Sequence, residues 1–249
     1  MELAAPTLRH GMTERRFFSM RGARRIPGVL WSPKEPAEGP LVLLGHVGSG
    51  SVDDDYIVGA ARHLVREASA TCLAIDGPVH GARREGRDAD PSLVLLEFSS
   101  LWSTDESMTL EMVADWRHVL DEVLGSDGLA HPGLGIGYWG LSMGTLLGLP
   151  LVAAEPRIDA CVLGLAGAIG PTREDLIAAA EVCVVPTFFL MKLDDELFSR
   201  ESCMELFDLL GATDKQLHAS PGRHAEVGAE AFGISLRFLA GRLAVASAP

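Results

Sequence analysis

The segment Gly140-Leu141-Ser142-Met143-Gly144 sets a serine between two glycines, after the apolar run LGIGYW and before TLLGLPLVAA, a stretch with helical character. A serine on a sharp strand-to-helix turn is lifted above its sheet, and a Cβ at either flanking glycine would crowd the neighbouring chain. The first backbone N–H groups of the following helix then point at any oxyanion formed beside the serine. The chemistry of such a group is nucleophilic attack. Its hydroxyl is weak near neutral pH, so it needs a base within hydrogen-bonding reach.

Eight histidines compete for that role. His224, in SPGRHAEV, follows the last strand-like run in a glycine-containing loop that can lean over the serine. His218 lies inside KQLHAS and reads as packed or solvent-facing, while His10, His63, His118 and His131 fall away from strand ends. His46 and His80 follow strands earlier in the chain, in GHVGSG and DGPVHGAR, and read as supports for the site. A carboxylate that fixes the tautomer of the base is expected from DDEL, where Asp194 and Asp195 stand side by side after an apolar run. In extended chain such neighbours point to opposite sides, so one of the two serves the site. The order along the chain is then Ser, Asp, His.

These residues need a scaffold that brings strand ends together. Short apolar runs at 15–20, 27–32, 41–46, 71–76, 134–140, 160–165, 186–192 and 215–220 read as eight strands. Helical spacing appears at 57–68, 108–124, 201–211 and 229–244. Two strands followed by strand-helix repeats predict an α/β fold with a mostly parallel central sheet and an antiparallel edge. In such sheets ligands bind beyond the carboxyl ends of the strands, where the residues above lie. Residues 83–104 fit neither pattern cleanly and are a candidate lid, with Phe98 and Trp102 as expected substrate-pocket residues; the alternative is an extra helix packed on the core.

Composition narrows the function. The 249 residues, 47% of them hydrophobic, suit a single domain over 1–249 with a sizeable core. A net charge of −13 without a long Lys/Arg run disfavours nucleic acid as a partner. No signal-length apolar segment or membrane-length run stands out, so a soluble, cytoplasmic protein with no membrane partner is expected. Cys72, Cys161, Cys183 and Cys203 are isolated, which predicts buried thiols and neither disulfides nor a metal centre.

Taken together, GHVGSG, DGPVHGARR, GLSMG, KLDDELF and GRHAEV resemble the oxyanion loop, the D-x-P-x-H-G loop, the nucleophile elbow, the acid turn and the histidine loop of the α/β-hydrolase fold. The similarity covers most of the chain, and within the superfamily it points to small esterases of the dienelactone-hydrolase-like or acyl-hydrolase groups. Two positions depart from the pattern: Val47 and Lys192 stand where glycine is usual. The resemblance implies Ser142 as nucleophile, His224 as base and Asp195 as acid, with Asp194 as the alternative. It further implies oxyanion donors at Met143 and Gly48, with Val47 open by one residue, and backbone-anchoring roles for Asp76 and His80. The implied activity is hydrolysis of small or medium apolar carboxylic esters through an acyl-enzyme, without cofactor or metal. The same triad acting on a C–C bond, thioester or amide, and a non-catalytic binding member of the fold, are the alternatives.

Overall fold

The computed structural model describes residues 1–35, 37–84, 86–87, 90–126, 128–130 and 135–246. His131, and residues 85, 88 and 89 of the expected lid, lie outside the described residues. A ten-stranded sheet organises the chain: β1 (Glu2–Leu3), β2 (Thr7–Arg9), β3 (Met12–Arg21), β4 (Arg24–Pro33), β5 (Leu41–Gly45), β6 (Thr71–Ile75), β7 (Ile136–Gly140), β8 (Ile158–Gly164), β9 (Thr187–Lys192) and β10 (Lys215–Ser220). Their order is β1-β3-β4-β6-β5-β7-β8-β9-β10, with β2 also on β3. The six strands from β6 to β10 in that order run parallel; β4 is antiparallel to β6, and β3 is antiparallel to β4. The eight strands read from the sequence are present. The two additional ones, β1 and β2, are exposed pieces of two and three residues, too short to show a pattern.

Neighbouring residues of the central strands face opposite sides, which is why these strands are apolar throughout and buried on both faces. Leu43 and Tyr138 join one core layer with Trp116, Leu147 and Leu206, beneath helices α3 (Met108–Leu124), α4 (Met143–Ala154), α5 (Arg173–Val182) and α6 (Arg200–Leu209). Leu44 and Trp139, one residue along, join the opposite layer with Leu64 and Leu239 of α1 (Asp55–Ala68) and α7 (Ala229–Ala246). The segment expected to act as a lid begins within a short 3-10 turn, Gly81–Arg84, and includes helix α2 (Pro91–Thr104), started by the Asp90 carboxylate accepting the N–H groups of Ser92 and Leu93. All four cysteines are buried and unpaired.

Candidate active site

Ser142 stands between the end of β7 and the start of α4 with φ 56° and ψ −119°, a backbone conformation that costs a non-glycine residue on the order of 1–3 kcal/mol. Local bonds hold it there: Ser142 N–H donates to Gly164 O (2.9 Å), Gly144 N–H to Leu141 O (2.9 Å) and Thr145 N–H to Ser142 O (2.8 Å). The flanking glycines are sterically required. A Cβ at Gly140 would sit 2.6 Å from the Tyr138 hydroxyl, and one at Gly144 would sit 2.7 Å from Gly45 O. The tight turn that the sequence pattern implied is therefore a packing fact.

His224, four residues beyond β10, places Nε2 2.9 Å from Ser142 Oγ. Its Nδ1 lies 2.8 Å from Asp195 Oδ2. The other oxygen of Asp195 is occupied by the N–H groups of Leu197 (2.8 Å) and Phe198 (3.0 Å), so this carboxylate, only 1% exposed, is oriented from both ends. An acceptor at Nδ1 fixes the proton there and leaves Nε2 as the acceptor for the serine hydroxyl. Asp194 turns away: its Oδ2 accepts Gly222 N–H at 3.1 Å, and Arg200 lies 3.5 Å from its Oδ1. Lys192, considered from the sequence as a partner for Asp194, instead donates to Ser220 Oγ at 3.1 Å.

The expected oxyanion donors are Met143 and Gly48, with Val47 as the alternative to Gly48, and the N–H of Val47 is already engaged. That N–H donates to the Tyr56 hydroxyl at 2.6 Å, because α1 carries that phenol back to the loop after β5. Among the described residues the N–H groups of Gly48 and Met143 have no intramolecular acceptor, and a Cβ on Gly48 would lie 4.0 Å from that of Met143, so the two peptides border the same space beside Ser142. Tyr56 was not legible as a site residue, since nothing in a helical repeat marks which hydroxyl meets a loop nine residues earlier.

The loops behind these donors are joined by two histidines in reciprocal fashion. His46, after β5, accepts Gly77 N–H from the loop after β6 at Nε2 (2.8 Å) and donates from Nδ1 to Val47 O (2.9 Å). His80, after β6, accepts Ser49 N–H from the loop after β5 at Nε2 (3.0 Å) and donates from Nδ1 to Pro78 O (2.6 Å). Asp76 bonds the N–H groups of Val52 (3.1 Å) and Ala82 (2.8 Å). His80 and Asp76 thus bond backbone around the site, as the sequence suggested.

Burial holds both imidazoles neutral and pushes each down to about 4. The unfolded chain takes up these protons near pH 6.5 and the folded one only near 4, so stability falls as pH falls through that window. Urea denaturation of wild type between pH 7 and 4 is expected to show this. His80→Gln, which has no ring to protonate, is expected to lower the slope by up to roughly 1.4 kcal/mol per pH unit. Comparing the two proteins cancels the opposing contribution of Asp76, whose carboxyl is raised by burial.

A cavity of about 410 Å³ opens beside Ser142 and His224. Tyr56, Trp139, Leu165, Val227 and Phe232 make much of its wall, and Leu95 of α2 contributes to it; among the described residues none that lines it carries a fixed charge. Phe98 and Trp102, expected in the pocket, do not line it. Phe98 is 4% exposed and packs between the His80 ring (5.5 Å) and the Trp102 ring (6.4 Å). Trp102 donates from its indole to Thr172 Oγ1 at 3.0 Å and covers Gly170. The apolar stripe of α2 marks the face that packs on the core, and the substrate side is one turn nearer its N-terminus. His218 stacks on Phe188 at 6.1 Å, away from the site.

No protein-family model matches the sequence, and no curated protein does. Solved structures do. A cold-adapted esterase from an Arctic intertidal metagenomic library, in a PEG-bound complex, is 36% identical to this chain over 98% of it and 100% of that chain, with a TM-score of 0.86. Its native structure aligns with the same identity and coverage at a TM-score of 0.80. Dienelactone hydrolase from Anabaena variabilis ATCC 29413, at 18% identity over 95% of this chain and 99% of that one, shares the fold with a TM-score of 0.69. With its mostly parallel sheet, a serine on the turn after β7 and a full-length relative above one-third identity, the chain belongs to the α/β-hydrolase family, among its esterases.

Proposed function

We propose that the protein hydrolyses compact, uncharged carboxylic esters through an acyl-enzyme on Ser142, with His224 as general base and acid and Asp195 as its orienting carboxylate. The observation that carries this reading is the unbroken chain of short contacts from Ser142 Oγ through the imidazole to Asp195. Ser142 Oγ attacks the carbonyl carbon as its proton passes to His224 Nε2, and Asp195 stabilises the imidazolium. The oxyanion forms where the N–H groups of Gly48 and Met143 converge, with the positive end of α4 behind them. Collapse breaks the ester C–O bond, and the alcohol leaves with the proton from Nε2. A water then repeats the sequence, giving its proton to His224 as it attacks the acyl carbon, and Ser142 is released with the acid.

The cavity supports the substrate class. Its volume is near the small end of the roughly 300–1,000 Å³ of ligand sites, and a wall without fixed charge leaves an ionised acyl group unpaired. Segment 83–104 is read as a short lid on a single domain, supported by Leu95 in the cavity wall. A cytoplasmic setting suits four buried, unpaired thiols, and among the described residues no helix is long and apolar enough to cross a membrane.

A fluorophosphonate probe is expected to label the folded wild type at one site, mapped by peptide mass to Ser142, and to leave Ser142→Ala unlabelled. A matched panel of p-nitrophenyl esters, thioesters and anilides is expected to rank the ester first. Absence of labelling on folded protein would favour a binding role, and a preferred thioester or anilide would change the substrate class.

A further inference from the structure

We propose that Glu196 is a positioning residue for His224: with Asp194 it fixes the backbone on which the base stands, so that three consecutive carboxylates act together on one loop. The inference rests on the triad reading above and extends it to a residue outside the triad.

The acid turn and the histidine loop meet through successive side chains. Asp194 closes a two-way bond with Gly222, accepting its N–H at Oδ2 (3.1 Å) and donating its own N–H to Gly222 O (3.1 Å). Asp195 takes His224 Nδ1 at 2.8 Å. Glu196 accepts the backbone N–H of the same His224 at Oε2 (3.0 Å), while its Oε1 lies 3.3 Å from Arg223. His224 is therefore gripped at two points, its ring by one acid and its main chain by the next.

A single bond at Nδ1 leaves the imidazole free to pivot about that contact. The second bond, at the origin of the same side chain, removes the pivot and sets where Nε2 falls relative to Ser142. The Phe198 ring, 5.7 Å from the imidazole, adds a contact without a hydrogen bond. Regular pairing of β10 with β9 ends at Ser220, and Gly222, at φ 111°, turns the chain out of the sheet. Glu226 holds the residue before the base, accepting Arg223 N–H at 2.9 Å and donating its own N–H to Arg223 O at 3.0 Å, but the N–H of His224 itself goes to Glu196. The His224 N–H also holds the Glu196 carboxylate in its charged form, lowering its pKa.

The roles of the two Glu196 oxygens are separable. Glu196→Gln keeps an oxygen for the His224 N–H and loses the ion pair with Arg223, whereas Glu196→Ala loses both. The full chain is assayed on p-nitrophenyl butyrate, and the rate of fluorophosphonate labelling at Ser142 is followed in parallel. Glu196→Ala is expected to lose about tenfold in kcat and in labelling rate, with KM within about twofold and the acid limb of kcat/KM unmoved. Glu196→Gln and Arg223→Ala are expected to stay within about threefold of wild type, since exposed ion pairs contribute little.

Wild-type kcat in Glu196→Ala overturns the proposal. So does a Glu196→Gln as slow as Glu196→Ala, or an acid limb displaced in both, which would mean that the charge acts on the imidazolium through space. Ser142→Ala is run alongside: if it retains activity the triad itself fails, whereas an inactive Ser142→Ala beside a fully active Glu196→Ala rejects Glu196 alone.

Discussion

Ser142→Ala is expected to lose roughly 10⁴- to 10⁶-fold in kcat on a good ester substrate, leaving what substrate binding and the oxyanion donors supply without a nucleophile. The fold should tolerate the change. The Ser142 side chain makes one hydrogen bond, to His224, while the bonds that hold the turn come from its backbone and from Gly144 and Thr145. Alanine also keeps the Cβ that serine already carries at φ 56°, so no new strain enters. Steady-state kinetics and a thermal melt on the same preparation test both halves. Activity within tenfold of wild type in a folded Ser142→Ala would remove Ser142 from the mechanism.

Asp195→Asn is expected to cost about 10³- to 10⁴-fold in kcat, and Asp194→Asn only a few-fold. The asymmetry follows from the acceptors. At position 195 one carboxylate oxygen already receives two backbone N–H groups, so an asparagine turns its own oxygen to them and presents its NH₂ to His224 Nδ1. That donor forces the imidazole proton to Nε2, where it can no longer accept from Ser142. At position 194 an asparagine oxygen still accepts Gly222 N–H, so the histidine loop keeps its bond. Parallel kcat measurements on the two variants decide the matter, and a large loss in Asp194→Asn alone would reverse the assignment.

The parts of the site legible from sequence were those whose chemistry follows from neighbours along the chain. The serine elbow is local: two glycines, the strand before and the helix after determine it. The order Ser, Asp, His was readable because each follows a strand of a parallel sheet, and all such strands end on one side; which of Asp194 and Asp195 faces the base was not, since the turn after β9 decides it. Other contacts depend on distances that no local pattern encodes. Tyr56 takes the N–H of Val47 only because α1 lies back along β5. Glu196 looks like a spacer in the acid turn until the histidine loop is folded against it. The stripe of α2 correctly marks Phe98 and Trp102 as apolar partners, but it does not say whether they meet a substrate or the protein's own core. Helix α5 was not read at all: REDLIAAAEV buries only Leu176, Ala179 and Ala180, too few large apolar residues for a periodic signal.

The position of β10 at the margin of the sheet bears on how this molecule fails. The nucleophile rises from β7, which is paired on both sides, but its base hangs from a strand bonded on one side to β9 and only partly buried along its length. Local opening is cheapest where few contacts must break, so detachment of this margin precedes loss of the centre. A molecule opened in that way retains most of its sheet and an intact serine turn, yet has no base. Catalytic competence is thus set by one rim of the fold, while its overall persistence is set by the middle.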